Sequence, residues 1–195
     1  MQLLQVVHAQ AVLTPGVIKI DSASSTTDLL SKSQWLVADN RVQLSDIQEL
    51  QTWRAAFSPQ PLSANQSLWG KITLQSDSTH QPYFISIDNP RIDALDIYVL
   101  DERERIINSY RLGTSRPMEN RAYGHRLFVV PIDMPYAQPR NIYIKVHDEG
   151  PLVFSFQLFS ESALMIKEQR YSTIFALFSG ALAMMVLYFL VTYTL

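Results

Sequence analysis

The segment richest in residues suited to ligand chemistry spans residues 116–126 and reads RPMENRAYGHR. Arginine presents a planar fork that matches a carboxylate or a phosphate, and tyrosine offers an apolar face with a polar tip. The residues that we predict to contact a ligand here are Arg121, Tyr123, His125 and Arg126. Two interpretations are open: a binding loop on a rigid scaffold, or a solvated connection whose arginines pair with the charged turn at 101–105.

Signals for catalysis or metal binding are weak. The four histidines are not at metal-ligand spacing along the chain, and the chain has no cysteine. The G-x-S-x-G elbow, the P-loop and the G-x-G-x-x-G motif do not occur. We therefore predict no catalytic residue, no metal and no cofactor. A glycan hydrolase stays open as a third possibility, because it needs only two carboxylates about 5–10 Å apart in one cleft.

Period-two alternation of apolar residues dominates from residue 68 onward and predicts half-buried strands. No helical period separates these segments, which argues against a parallel α/β sheet. We predict an all-β fold, an antiparallel jelly-roll sandwich of about eight short strands. The segments are 35–37, 68–74, 83–87, 95–99, 106–111, 127–132, 142–146 and 152–158.

One short helix is expected before the main run of strands. Ser45 as N-cap and Gln48 at the third helical position fit a capping box, and two prolines prevent the helix from continuing beyond about residue 57. We expect Trp35 to lie in the core and Trp53 to seal the helix onto the sandwich. Trp69 either stacks on a ligand from an exposed sheet face or packs beneath the helix.

The C-terminal residues 171–195 carry no charged side chain. About 20 helical residues cross a hydrocarbon core of about 30 Å, so this segment predicts a transmembrane helix. Residues 161–170 are expected to form a helical connector that leads into it. Gly180 and its small neighbours favour close packing against further membrane helices.

The N-terminal residues 1–33 are interpreted as a leader that contains part of a signal peptide and a flexible linker. The part that we expect to be flexible is the Ser- and Thr-rich segment 14–33. Residues 34–160 are then the exported sandwich. A net charge of −2 offers no electrostatic footprint for nucleic acid, so no nucleic-acid partner is expected.

The order of several segments resembles a known receptor family. They are LWGKITL at 68–74, IDNPRIDALDIY at 87–98, FVVPI at 128–132, IYIKV at 142–146 and FSGALAMMVLY at 178–188. Together they resemble the bacterial seven-transmembrane receptors with diverse intracellular signalling modules. The resemblance covers about residues 34–195 and concerns the extracellular sensory domain of the second type and the start of the membrane bundle.

The resemblance implies an extracytoplasmic jelly roll, similar to carbohydrate-binding modules. Such a domain would control a cytoplasmic diguanylate cyclase, histidine kinase or phosphatase module that this chain does not contain. Within the matching segments we also count Arg91 and Lys145 as candidate ligand contacts. Lys71 and Lys145 stand where the family often has arginine, which weakens any contact that relies on a bidentate fork.

Our hypothesis is a ligand-sensing input domain without enzymatic activity, anchored in the bacterial inner membrane with the sandwich in the periplasm. The expected partners are a small-molecule or carbohydrate ligand, the lipid bilayer, the remaining transmembrane helices of the same receptor and a second copy in a homodimer. A membrane-tethered carbohydrate-binding module is the alternative. Further apolar spans in the full gene would distinguish the receptor from the tether.

Overall fold

The computed structural model describes residues 16–21, 25–50, 52–54, 57, 61–77, 82–120, 127–150 and 152–194. Within these residues the chain forms ten strands and two α-helices. They are β1 (Ile18–Ile20), β2 (Thr26–Asp28), β3 (Gln34–Asp39), α1 (Leu44–Glu49), β4 (Gln66–Ser76), β5 (Tyr83–Ile87), β6 (Ala94–Leu100), β7 (Ile106–Leu112), β8 (Phe128–Ile132), β9 (Pro139–His147), β10 (Phe156–Ser160) and α2 (Glu161–Thr194). A single 3-10 turn, Met118–Asn120, follows β7.

The strands form two sheets. The larger sheet has the order β1-β4-β9-β6-β7, and β3 also pairs with β4. The smaller sheet has the order β2-β10-β5-β8. The pairings are antiparallel except for that of β1 with β4. The prediction of a mainly β fold with two sheets, one short helix and a C-terminal apolar helix is confirmed, and the jelly-roll topology remains a prediction.

The core lies between the inner faces of the two sheets. Because successive strand residues point to opposite faces, the apolar set of each alternating segment faces inward. The larger sheet contributes Ile72, Ile97 and Ile144 to this core, and the smaller sheet contributes Ile85 and Leu158. Burial of each such side chain stabilises the fold by roughly 1.5–3 kcal/mol.

Trp35 lies in this core, as predicted, with 3% of its surface exposed. Its ring makes edge contacts with Phe57 at 5.3 Å and Phe154 at 5.8 Å between ring centroids. Aromatic pairs in this geometry add stability beyond their buried area. The strand predicted at 152–158 starts later than expected, because β10 begins at Phe156. Phe154, two residues before it, is nevertheless buried.

The short helix is displaced from its predicted position. The N-cap is Gln43 rather than Ser45, and Asp46 rather than Gln48 completes the capping box. The Asp46 carboxylate accepts a hydrogen bond from the Gln43 backbone N–H at 3.0 Å. Asp46 has a shorter side chain than Gln48 and carries a negative charge. It therefore both completes the capping box and complements the helix dipole, which favours a helix that starts at Leu44. The helix ends at Glu49 instead of near residue 57.

The described part of segment 14–33 is not the flexible lead-in that we predicted. Its residues form β1, parallel to β4, and β2, antiparallel to β10. Ile20 and Leu29 are buried in the core between the sheets. These two apolar side chains anchor the described part of the segment. Residues 1–15 of the predicted leader lie outside the described residues.

Helix α2 follows β10 without a connecting residue. The Ser160 hydroxyl, at the end of β10, accepts a hydrogen bond from the Ala163 backbone N–H at 3.4 Å. Leu164 packs against Phe84 and Val129 on the outer face of the smaller sheet. The helix has 34 residues, and by length and composition it could cross a membrane. The predicted connector and span are thus one continuous helix.

The strand register defines two ends of the sandwich. Ser160 pairs with Tyr83, which pairs with Ile132, so these residues lie at the end from which α2 leaves. The opposite end, called the far end here, carries the connection at 88–93 and the described residues 148–150 and 152–155. Short connections thus bring residues from both sheets together at the far end.

Candidate functional site

The six predicted ligand contacts fall in three places. Arg121, Tyr123, His125 and Arg126 lie outside the described residues. Arg91 lies in the connection from β5 to β6 at the far end, where its side chain is exposed. Lys145 lies in β9, in the middle of the larger sheet. The structure therefore assigns Arg91 to a loop and Lys145 to a sheet face, two different surfaces.

The segment around Arg91 ties the far-end connections together. The side-chain amide of Asn89 donates to the Val153 carbonyl at 3.0 Å. The Asp93 carboxylate accepts hydrogen bonds from the Thr114 hydroxyl and from the Glu149 backbone N–H, both at 3.3 Å. Asn89 and Asp93 thus have structural roles, whereas Arg91 is exposed, as are Asp88 and Pro90.

Arg116 is the one arginine of the 116–126 segment that the structure describes. Its guanidinium donates to both carboxylate oxygens of Asp96 and also reaches the Leu112 carbonyl at 3.3 Å. In the 101–105 turn, Asp101 pairs instead with Arg105 at 2.7 Å. The expected pairing of loop arginines with this turn is therefore wrong for Arg116, because Asp96 offers it a partly buried bidentate partner.

The outer face of the larger sheet carries an aromatic and cationic cluster. Two rows of register partners cross its strands. One row runs from Trp69 through Lys145 and Asp96 to Arg111, and the next runs from Lys71 through Tyr143 and Tyr98 to Ser109. These residues share the face opposite the core because side chains alternate along a strand. We call Trp69, Lys71, Tyr98, Tyr143 and Lys145 the outer-face cluster.

Cations and rings contact one another within the outer-face cluster. The Lys71 ammonium lies 5.0 Å from the centre of the Tyr143 ring, and the Lys145 ammonium lies 5.4 Å from that of Trp69. Tyr98 stacks on Trp69 with 6.3 Å between centroids and 14° between planes. The two distances from a lysine ammonium to a ring centre fall within the range of cation–π attraction.

Helix α1 covers part of the outer-face cluster. Leu44 and Ile47 pack on Trp69 and Tyr143, which are both fully buried. Trp69 therefore packs beneath the helix, which was one of the two alternatives predicted for it. Trp53 lies beyond the helix, but its ring still contacts Tyr143 edge-on at 6.2 Å. The expectation that Trp53 seals the helix holds only in part, because the helix ends at Glu49 and Trp53 packs after it against the same cluster as Leu44 and Ile47.

Lys145 links the sheet to the segment that leads into α1. Its ammonium donates to the carbonyls of Asn40 at 2.6 Å and Val42 at 3.2 Å. Burial lowers the pKa of Lys145, and the nearby Asp96 carboxylate acts in the opposite direction. The indole N–H of Trp69, beneath Lys145, has no hydrogen-bond acceptor among the described residues. Buried donors of this kind are rarely left unpaired in native structures.

Glu104 was missed as a contributor to this face. Its carboxylate accepts hydrogen bonds from Asn141 at 2.9 Å, Gln48 at 3.1 Å and the Tyr143 hydroxyl at 3.4 Å. Burial, followed by the Glu104 charge, raises the pKa of Tyr143. Glu104 stands in a charged turn, where solvent exposure was the ordinary expectation, and its partners are 37 or more positions away in sequence. No local pattern could have indicated these contacts.

The part of the face beyond α1 is more open. Asp96 and Tyr98 are partly exposed, and Ser109 and Arg111 on the edge strand β7 are exposed. Across the described part of the chain, no group of three or more His, Asp or Glu residues could hold a metal ion. The side chains on this face offer hydrogen bonding, aromatic stacking and charge recognition.

Of the comparisons with known proteins, the one with family models agrees with the sequence resemblance. No curated protein matches the chain. Among solved structures, the enzymatically active domain of bacteriophage CBA120 tailspike protein 4 is similar over 76% of this chain and 20% of that chain, with 12% sequence identity and a TM-score of 0.29. The chain thus spans a fifth of that protein, and a likeness this distant supports no conclusion about function. The family model described as 7TMR-DISM extracellular 2 matches residues 33–160, more than half of the chain. This chain therefore belongs to the 7TMR-DISM extracellular 2 family, whose domain is the extracellular sensor of a receptor rather than a catalytic domain.

Proposed function

We propose that this chain is the ligand-sensing input of a transmembrane signalling receptor. The sandwich lies in the periplasm, α2 crosses the bacterial inner membrane, and the output is a cytoplasmic diguanylate cyclase, histidine kinase or phosphatase module. The observation that carries the proposal is the direct junction of β10 with α2, in which Ser160 both ends the strand and caps the helix. The family membership of residues 33–160 supports the sensory role.

The junction gives the proposal a physical basis. A flexible linker would let the sandwich and the helix move independently, whereas a strand that continues directly into a helix transmits small displacements. The contacts of Leu164 with Phe84 and of Lys167 with the Phe159 ring add two further points of attachment. A ligand can use this attachment only if it binds one position of the sandwich better than another.

The ligand contacts proposed from the sequence keep that role here. Arg91 supports it because its guanidinium is exposed at the far end, where the surrounding connections are held by Asn89 and Asp93. Lys145 supports it because it lies within the outer-face cluster, beside aromatic rings. The ligand is a small molecule or a carbohydrate.

Cysteine labelling tests the proposed orientation, because the chain has no cysteine of its own. Ser109 is exposed on β7, whereas Ser86 in β5 is 2% exposed, so Ser109→Cys and Ser86→Cys form a matched pair. In intact spheroplasts we expect a membrane-impermeant maleimide to label Ser109→Cys at once and Ser86→Cys only after denaturation. Labelling of Ser109→Cys that requires permeabilised membranes would place the sandwich in the cytoplasm and refute the proposal.

A further inference from the structure

Three cationic side chains lie around Asp96 on the outer face. The Asp96 carboxylate is already engaged by Arg116 through both oxygens. Arg111, the register partner of Asp96 on β7, is exposed. Lys145 is the register partner of Asp96 on the other side. Three cations thus surround one carboxylate, in a chain whose net charge is −2.

The spacing of these cations suits a small molecule. Neighbouring strands lie about 5 Å apart, so Lys145 and Arg111 stand about 10 Å apart across β6. Tyr98 lies between their strands, one row further along the sheet. A planar guanidinium fork at one side and an ammonium at the other can both act on a ligand that rests on Tyr98.

Between Arg111 and Lys145 the sheet face is aromatic. Tyr98 is partly exposed and stacks on Trp69, which is fully buried. Burial and the Asp96 charge raise the pKa of Tyr98, whereas the charges of Arg111 and Arg116 act to lower it. In the part of the chain that the structure describes, the buried Trp69 N–H has no acceptor.

We propose that the strip formed by Tyr98, Arg111 and Lys145 binds a small ring compound that bears a carboxylate. The ring lies on Tyr98, and the carboxylate is held by the guanidinium of Arg111. Lys145 contributes positive charge, while its hydrogen bonds to Asn40 and Val42 connect the strip with the segment before α1. This inference rests on the proposed sensory function and names the class of its ligand.

Trp69 supplies the reporter for a binding test on the full chain in detergent micelles. The probes are glucuronate and benzoate, each compared with a neutral counterpart, glucose or benzyl alcohol. We expect at least one of the two anions to change the tryptophan fluorescence saturably, and its neutral counterpart to bind at least tenfold more weakly. Trp69→Phe should abolish the fluorescence change while the anion still raises the melting temperature, because stacking on Tyr98 makes Trp69 the nearest indole. Added salt should weaken binding by screening the charges.

The decisive variant is Arg111→Gln, with Arg103→Gln as its control. Both arginines are exposed on the β6–β7 hairpin, but only Arg111 belongs to the strip. We expect Arg111→Gln to weaken binding of the responding anion at least tenfold and Arg103→Gln to leave it unchanged.

Three results would overturn the inference. The two variants bind the anion equally well, inorganic phosphate acts as strongly as the ring anions, or neither anion binds at about 10 mM, far above the ordinary range for small ligands. None of these results would affect the labelling test of the receptor orientation.

Discussion

Tyr143 and Glu104 show how single side chains connect three elements on the outer face. Tyr143 lies fully buried in β9, and its hydroxyl donates to the Glu104 carboxylate in the turn after β6. Gln48 of α1 donates to the same carboxylate. Glu104 adopts a positive φ of 57°, a conformation that costs about 1 kcal/mol or more for a residue with a side chain. This conformation belongs to the tight turn in which the Glu104 backbone N–H donates to the Asp101 carbonyl at 3.1 Å.

The raised pKa of Tyr143 predicts a loss of stability in alkali. Above pH 10, the unfolded tyrosine loses its proton while the folded one keeps it, so the unfolded state binds fewer protons. The stabilisation is complete below pH 10 and falls by about 1.4 kcal/mol per pH unit above it. In urea unfolding at pH 10.5 and 11.5, Tyr143→Phe should therefore lose less stability than the wild type. Parallel losses would contradict this, and the exposed Tyr136→Phe serves as the control that follows the wild type.

Among the elements, β4 organises the larger sheet because its 11 residues pair with β1, β3 and β9. The alternation of β4 was readable from the sequence, and so was its inward face, which carries Ile72 and Leu74. Its partners were not readable, because the pairing with β9 joins residues about 70 positions apart, such as Thr73 and Asn141. Periodicity reports which face of a strand is buried, but it does not report its neighbours.

Gly70 in β4 permits the close approach of Trp35, its register partner on β3. A Cβ at this position would lie 2.6 Å from Cζ3 of Trp35 and 2.8 Å from Cγ1 of Ile144. Gly70→Ala should therefore destabilise the sandwich by about 1–3 kcal/mol through overpacking. Gly16→Ala is the control, since nothing lies within 4 Å of the added atom. Equal urea midpoints for the two variants would show that the core can yield at Trp35.

At the scale of the whole molecule, the sandwich and the apolar helix meet through a small set of contacts at the start of α2. The described part of α2 beyond residue 168 is exposed, and only its first turns reach the smaller sheet. The exposed apolar surface of this helix suits a lipid environment rather than water. The position of the helix relative to the sandwich therefore depends on few side chains, chief among them Leu164.

Proteolysis can measure the strength of this junction. Leu164→Ala removes the packing on Phe84 and Val129, so the start of α2 should open more often. We expect trypsin to cleave after Lys167 about fivefold faster or more in this variant, because cleavage follows the population of the open form. Ile166→Ala, at a position that is 65% exposed, should be cleaved at the wild-type rate in detergent. Equal rates for the two variants would show that Leu164 does not hold the helix.

The sequence by itself determined the β class, the inward faces of the main strands, the apolar helix and the receptor family. Each of these depends on periodicity, composition or segment order, which a chain carries locally. Only the tertiary structure decided that β1 and β2 join the sheets, that α1 starts at Leu44, and that Lys145 bonds to Asn40, 105 positions earlier. Such contacts follow from the order of the strands and from the competition between capping groups. The alternation along a strand is the same for every order in which the strands could pair, so it does not reveal these contacts.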